Sequence, residues 1–250
     1  GNSSMSFPAT SGNYLDIDNN TDFDFSTDQD FTVEGWYNAI DGSYRGVMST
    51  HHTGTSVGWC LGLVHGSYSG GADQLTLTIN NFTNALLRGG TRSAVFGVLI
   101  HFALARSDIT TSLYIDGILA DSTTDSIDFA AASGFTVGRN ATNSTSDCMY
   151  GYIDEVRITQ GIPRYTPSIE RYANTFVERG DTGDAFTALQ IQSNGAKSGT
   201  RYSDGLNRSG YNTGAAVIGG NPTWQTTGGD PLGGANTALS GAVLVPRRCY

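Results

Sequence analysis

Basic charge is scarce in this sequence. Only 15% of its 250 residues are charged, against roughly 25% in an ordinary domain, and the 14 lysines and arginines form no large cluster. Because a phosphate-binding surface needs clustered positive charge, the sequence argues against a nucleic-acid partner. The 23 acidic residues give a net charge of −9, which favours solubility and leaves carboxylates available for a hard cation.

Long apolar runs and a regular cysteine pattern are also missing. No stretch approaches the roughly 20 apolar residues of a membrane helix, so we expect no membrane insertion. The opening GNSSMSF shows neither a signal-peptide pattern nor an initiator Met, which leaves processing or truncation open. The three cysteines, Cys60, Cys148 and Cys249, are odd in number and widely spaced. We expect ordinary thiols rather than a disulfide framework, although one pair could close in an oxidising setting.

Glycine, by contrast, is abundant. Its 33 residues are nearly twice the usual ~7%, and serine, threonine and asparagine supply most of the remaining polar residues. Hydrophobic residues make up 38% of the chain, which is enough for a core. This composition favours short strands joined by many turns, and the length fits one all-β domain with or without an appendage.

Strand patterns recur about every ten residues, with turns between them. The clearest segments are 31–40, 74–80, 95–106, 135–140 and 150–165. Asp116-Gly117 stands between two apolar runs and predicts a β-hairpin. The fold class predicted is therefore all-β, an antiparallel β-sandwich of jelly-roll type. One short helix is expected afterwards over 167–179, between a proline and a glycine.

Two of these strands have well-marked faces. In 31–37 the apolar face contains Phe31, Val33 and Tyr37, with Glu34 and Trp36 on the other face. In YGYIDEVRITQGIPRY (150–165), strict alternation predicts two faces as well. One would carry Ile153, Glu155 and Arg157, and the other Asp154, Val156 and Ile158.

Five stretches in sequence order resemble the laminin-G-like, concanavalin A-like jelly roll: DFTVEGWY (30–37), HFALAR (101–106), LYIDGILADS (113–122), FTVGRN (135–140) and GYIDEVRITQGIPRY (151–165). The resemblance covers roughly residues 1–165 and is nearest to the versions common in phage and environmental virion proteins. One departure is Leu99, where those domains often carry a Trp two residues before the His. The resemblance implies a lectin-like sandwich.

The C-terminal third, residues 186–240, resembles the opening strands of the same family. We therefore predict a sandwich over 1–165, a connecting segment with a candidate helix over 166–184, and C-terminal strands over 185–250. These strands either complete the sandwich, as in a permuted unit, or pair with a neighbouring subunit. A separate small β-domain is the third alternative.

A calcium site is one candidate for chemistry. Oxygen-bearing side chains alternate along one segment: Asp16, Asp18, Asn20, Asp22 and Asp24. In an extended chain they would share one face and supply ligands for Ca²⁺, the expected cofactor. An EF-hand is excluded, because the sixth position is Thr21 rather than glycine. The resemblance implies a site at the sandwich rim, to which Asp154 or Asp116 would contribute. The alternative is a solvated acidic face.

Glycoside hydrolysis would need two carboxylates about 5–9.5 Å apart across a cleft. Asp154 and Glu155 are adjacent, so in a regular strand they point to opposite faces, and Glu34 stands alone on its strand. The histidines show no metal-ligand spacing, and His101 in an apolar run is interpreted as a core histidine. We predict that the protein is not an enzyme.

Carbohydrate binding is the remaining candidate. Tyr44, Tyr68 and Tyr150 stand beside glycine-rich turns, where sandwiches usually carry their binding residues. Aromatic rings can stack on sugars, with asparagine and aspartate side chains bonding the hydroxyls. Most other aromatic residues of a sandwich pack in the core or between strands.

The leading interpretation is a non-enzymatic virion structural protein: a phage tail, fibre or capsid decoration protein that adheres to host glycans or stabilises the particle. Its expected location is the virion, and its expected partners are other virion proteins, copies of itself in a homo-oligomer, and host surface glycans. The first alternative is a secreted or cell-surface bacterial carbohydrate-binding module. The second is a glucanase-type hydrolase.

Overall fold

The computed structural model describes residues 3–7, 14–17, 25, 27–42, 45–50, 58–64, 73–79, 84–125, 127–129, 135–139, 148–166, 187–191, 216–219 and 223–226. Within these ranges the chain forms fifteen β-strands and one short 3-10 helix, Thr91–Ser93. None of the helical structure found there is long or apolar enough to cross a membrane. The helix predicted over 167–179 lies outside the described residues.

The strands form two antiparallel sheets. The first sheet has the spatial order β10 (Ile118–Thr124), β9 (Thr110–Ile115), β8 (Ile100–Ser107), β3 (Phe31–Ala39), β12 (Gly151–Gln160), β1 (Ser3–Phe7) and β15 (Thr223–Thr226), with β13 (Thr187–Ile191) also paired to β12. The second has the order β14 (Ala216–Gly219), β2 (Tyr14–Ile17), β11 (Phe135–Val137), β4 (Arg45–Thr50), β5 (Trp59–Val64), β6 (Gln74–Ile79) and β7 (Asn84–Arg88). The predicted antiparallel β-sandwich is confirmed.

The core lies between the sheets and is built from alternate residues of each strand. On β3, Phe31, Val33 and Tyr37 are buried in the core cluster, so Glu34 and Trp36 lie on the opposite, outer face, as the alternation predicts. Leu75 and Leu77 of β6 enter the same core.

The Asp116-Gly117 hairpin is also confirmed. Ile115 pairs with Ile118 across the turn. The φ angles of Asp116 and Gly117 are 51° and 78°. Two consecutive positive φ values define a type I′ turn, whose twist matches that of the flanking strands and which the Asp-Gly dipeptide favours.

The strand predicted over 95–106 is shorter than expected. It begins only at Ile100, and residues 96–98 form bends. Gly97 has a φ of 73°, and its N–H donates to the carbonyl of Ala39 at 2.8 Å. The chain therefore turns at this glycine, which leaves Val98 and Leu99 exposed instead of buried in a strand.

The strict alternation predicted for 151–160 is wrong, because β12 contains a β-bulge. Asp154 pairs with Trp36 and Arg157 pairs with Glu34, so three steps on β12 oppose two on β3. The residue inserted at the bulge, Glu155, has a φ of 49°. Ile153, Val156 and Ile158 all enter the core as a result. Asp154 and Arg157 share the outer face with their partners on β3.

The C-terminal strands pair with the sandwich of their own chain. In antiparallel register, β13 pairs with β12, β14 with β2 and β15 with β1. Most of 166–250 lies outside the described residues. The division into a sandwich, a connecting segment and C-terminal strands therefore stays a prediction.

Candidate functional site

The strand ends that flank the three predicted tyrosines lie at one end of the sandwich. We call this end the loop end. The last residue of β3 pairs with the first residue of β12, and the first residue of β4 pairs with β5 beside the start of β6. Tyr150, directly before β12, therefore lies at this end. Tyr44 and Tyr68 lie outside the described residues, between strands that end there.

An ion pair at the loop end accompanies Tyr150. The Nε and Nη2 atoms of Arg45 donate to the two carboxylate oxygens of Asp41 at 3.1 and 2.9 Å, the bidentate geometry that holds a guanidinium in one plane. The guanidinium carbon lies 5.7 Å from the centroid of the Tyr150 ring. Tyr150 is half-buried and the Asp41 side chain is 38% exposed. The loop end thus presents a positioned aromatic ring beside an accessible carboxylate.

Apolar side chains border this ion pair. We name as the apolar rim five residues with exposed fractions of 37–51%: Ile40, Val95, Phe96, Val98 and Leu99. A Cβ atom added to Gly42 would overlap the Asp73 carboxylate and lie 2.9 Å from Cζ of Phe96. The apolar rim and the Asp73 carboxylate therefore meet around Gly42, where a larger residue would require the ends of the Asp73 and Phe96 side chains to move.

A buried polar network occupies the outer face of the first sheet, farther along β3. The Nε and Nη2 atoms of Arg157 donate to Glu34 Oε1 at 2.7 and 2.5 Å, and the Tyr165 hydroxyl donates to Oε2 at 2.7 Å. His101 Nε2 lies 3.7 Å from the same Oε2. As the sequence predicts, His101 is a buried histidine with hydrogen-bonding partners, and it packs beneath residues 161–166 on the outer face rather than between the two sheets.

Residues 161–166 cover the network. The Thr32 hydroxyl donates to the Ile162 carbonyl at 3.1 Å and accepts from the Arg164 N–H at 2.8 Å. The Tyr165 ring packs near the rings of Tyr114 and His101, with centroids 5.5 and 5.7 Å away. Glu34 is fully buried in consequence.

The electrostatics keep Glu34 ionised. Burial by itself would raise its pKa, but His101, the positive charge of Arg157 and the Tyr165 hydroxyl together hold the pKa below its ordinary value. An acid catalyst needs a raised pKa and access to the substrate, and Glu34 has neither. The arrangement instead fastens the segment after β12 to the sheet.

Neither member of the adjacent pair on β12 is open to a substrate. Asp154 is 7% exposed and Glu155 is 1% exposed. Asp154 Oδ1 accepts the Glu155 N–H at 2.8 Å. The sequence argument that the two carboxylates point to opposite faces assumed a regular strand. Burial, rather than alternation, is the physical reason against a role for this pair in a cleft.

The predicted calcium ligands are mostly not testable in this structure. Asp16 lies on β2, whereas Asp18, Asn20, Asp22 and Asp24 lie outside the described residues. Among the residues that are described, no group of three histidine, cysteine, aspartate or glutamate side chains could hold a metal ion. Calcium binding stays a prediction.

Sequence reasoning missed two parts of these sites. Asp41 and Arg45 carry no motif beyond their four-residue spacing across a turn. Glu34 and Arg157 are 123 residues apart, so only the pairing of β3 with β12 brings them together. Cys60 and Cys148 are buried, and Cys249 lies outside the described residues, so the expectation of three ordinary thiols stays a prediction.

The two sheets, their order and the loop end define the protein as a lectin-like β-sandwich. Residues 9–162, more than half of the chain, match a laminin G-like family model described as the concanavalin A-like lectin/glucanases superfamily. The chain belongs to this superfamily. No protein of curated function matches the sequence.

Two solved structures are similar to this chain, and the first of them shares the fold. A candidate carbohydrate-binding protein from Bacteroides ovatus is 17% identical with a TM-score of 0.60, over 90% of this chain and 62% of that one. The present chain thus spans about three fifths of that protein. Domain 4 of a GH43 extracellular arabinanase from Geobacillus stearothermophilus, solved with arabinotriose, is 21% identical with a TM-score of 0.48, over 66% of this chain and 73% of that one. At these identities the likeness concerns the fold alone.

Proposed function

We propose that this protein is a non-enzymatic carbohydrate-binding domain whose site is the loop end. The observation that carries the proposal is the Asp41–Arg45 ion pair seated beside Tyr150. A tyrosine ring offers an apolar face and a polar edge, and an exposed carboxylate accepts hydrogen bonds from hydroxyls. Membership in a lectin-like superfamily supports the same assignment.

The non-enzymatic part of the proposal rests on the buried carboxylates. Glu34 is held ionised beneath Tyr165, and Asp154 and Glu155 are nearly inaccessible. Glu34 lacks the raised pKa that a glycosidase acid requires, and all three carboxylates are too buried to reach a substrate. Incubation with laminarin-type polymers should release no reducing ends, and release that disappears in a Glu34→Gln variant would contradict this part.

Binding is tested on a glycan array, followed by calorimetry with the best ligand. Tyr150→Ala should weaken binding about ten-fold or more, the loss expected when a stacking contact of about 1.4 kcal/mol is removed. Arg45→Lys should also weaken binding, because lysine keeps the charge but loses the bidentate geometry that positions Asp41.

Tyr152→Ala is the matched control. Tyr152 is half-buried like Tyr150 and two residues away, but it pairs with Asn38 on the outer face of the first sheet. Its replacement should leave affinity unchanged. Equal losses in the two tyrosine variants, or no binding of any glycan by the wild-type chain, would refute the assignment.

The proposal extends to where the domain acts. We place it on a virion, as a tail, fibre or capsid decoration protein that presents the loop end to host glycans, with a secreted or cell-surface bacterial module as the alternative. Mass spectrometry of purified particles and of washed bacterial cells separates the two. Particles that lack the chain would remove the virion placement and leave the binding site unaffected.

A further inference from the structure

We infer that Asp121 prevents β10 from pairing with a strand of a second copy of this chain. β10 is the edge strand of the first sheet, and it lies beside β7, the edge strand of the second. Among the residues that the structure describes, neither strand has a partner strand on its outer side. Unpaired backbone groups on such an edge can bind a strand from another molecule. The inference is independent of carbohydrate binding at the loop end.

The sequence of β10 favours association. Its residues, ILADSTT, include β-branched side chains and no proline, and most of them are exposed. Ile118 and Leu119 are 46% and 37% exposed. Exposed segments with high β-propensity and little charge pair readily with copies of themselves. Asp121 is the only charged residue of β10, so its loss would leave an uncharged edge strand.

A β-bulge places Asp121 on the face of the first sheet that is turned toward the second. Leu119 pairs with Tyr114 but Asp121 pairs with Leu113, so Ala120 is the extra residue. Paired residues share a face of the sheet, and Leu113 belongs to the core between the sheets. In a regular register Ala120 would pair with Leu113, and Asp121 would lie on the outer face. A charged residue that points inward from an edge strand is one of the ways in which sheets avoid pairing with other chains.

The Asp121 carboxylate binds a backbone N–H on the edge of each sheet. Oδ2 accepts the N–H of Arg88 on β7 at 3.0 Å, and Oδ1 accepts the N–H of Ser122 on β10 at 2.9 Å. Both hydrogen bonds are exposed to solvent, where a strand from a second copy would approach. Such a strand would have to displace the carboxylate to reach either donor, and its own carbonyl groups would meet a negative charge. One side chain thus holds the two edges together and opposes the addition of a strand.

Sedimentation velocity of the full chain over a range of concentrations tests the inference. The sedimentation coefficient of wild type should stay constant, whereas that of Asp121→Ala should rise with concentration as the mass doubles in a dimer or increases further. Asp108→Asn is the matched control. It removes one negative charge from an exposed turn residue with a φ of 54°, a conformation that asparagine tolerates. This variant should sediment like wild type.

A second substitution shows whether the association uses β10. Proline has no N–H, so adding Ser122→Pro to Asp121→Ala should block an added strand at this position and restore the wild-type sedimentation coefficient. Circular dichroism checks that the double variant keeps its strands. If it does not, Ser122→Lys replaces the proline, because an exposed lysine on an edge strand also opposes pairing. Asp121→Ala that sediments like wild type, equal association of Asp108→Asn, or association that persists in the folded double variant would each overturn the inference.

Discussion

At the scale of single residues, the most demanding feature is a charged glutamate with no access to water. Removing a carboxylate from solvent is costly, and the cost is offset only when its oxygens find partners. Arg157 donates to Oε1 of Glu34 and the Tyr165 hydroxyl donates to Oε2. His101 Nε2 lies beside the same Oε2. Removing any one member of this network should therefore destabilise the fold, even though replacing all of its members with apolar residues could leave the stability unchanged.

Glu34→Gln should destabilise the protein by about 3 kcal/mol at neutral pH, because Arg157 would lose the carboxylate that binds its guanidinium in a nearly buried position. Tyr165→Phe removes one hydrogen bond to a charged acceptor while keeping the ring, and should cost about 1–3 kcal/mol. Chemical denaturation measures both. Asp41→Asn, which breaks a partly exposed ion pair, should cost at most about 1 kcal/mol and serves as the control.

The stabilisation from Glu34 should depend on pH in a defined direction. Since the folded-state pKa lies below the ordinary value of 4.5, the carboxylate stabilises the fold fully above that value. The contribution is lost as pH falls through the lowered folded-state pKa. The gap in unfolding free energy between wild type and Glu34→Gln should thus be constant from pH 7 to about 5 and shrink below about 4.5. A gap unchanged down to pH 3 would show that the Glu34 charge is not what stabilises the segment.

At the scale of elements, the sequence predicts regular features and misses irregular ones. Alternation along the strand predicts the two faces of β3. The preference of Asp-Gly for positive φ predicts the turn at Asp116-Gly117. No local rule predicts the bulge in β12, because one inserted residue leaves the composition of the strand nearly unchanged. In this sequence the bulge sets the register that places Arg157 opposite Glu34, so their pairing could not be predicted from either strand alone.

Deleting Glu155 tests the bulge directly. Without this residue, Ile153, Val156 and Ile158 alternate regularly toward the core, and Asp154 and Arg157 keep their partners on β3. We expect the deletion to fold and to lose at most about 2 kcal/mol, since it also removes a non-glycine residue from positive φ. Deleting Ile158, which lies outside the bulge, should unfold the protein because every later residue changes face. Thermal unfolding of the two deletions decides, and an unfolded Glu155 deletion would contradict this account.

At the scale of the whole molecule, the sandwich acts as a rigid support for one end. The loop end draws on both sheets: Tyr150 precedes β12 in the first, and Arg45 begins β4 in the second. The edges of the two sheets must be covered, because an edge strand with unpaired backbone groups can pair with another chain. Here β14 and β15 cover β2 and β1. The strands β14 and β15 therefore matter for whether the protein is a monomer.

Cysteine cross-linking tests whether β15 belongs to the same chain. Ser4 faces Gln225 in the antiparallel register of β1 and β15, a separation that a disulfide can bridge. In a Cys249→Ser background, where Cys60 and Cys148 are buried, a Ser4→Cys, Gln225→Cys double variant should oxidise within one chain. It should run as a compact monomer on a non-reducing gel, and each single variant should form no such bond. A covalent dimer of the double variant would mean that β15 pairs with a neighbouring subunit, and the protein would then be assembled by strand exchange.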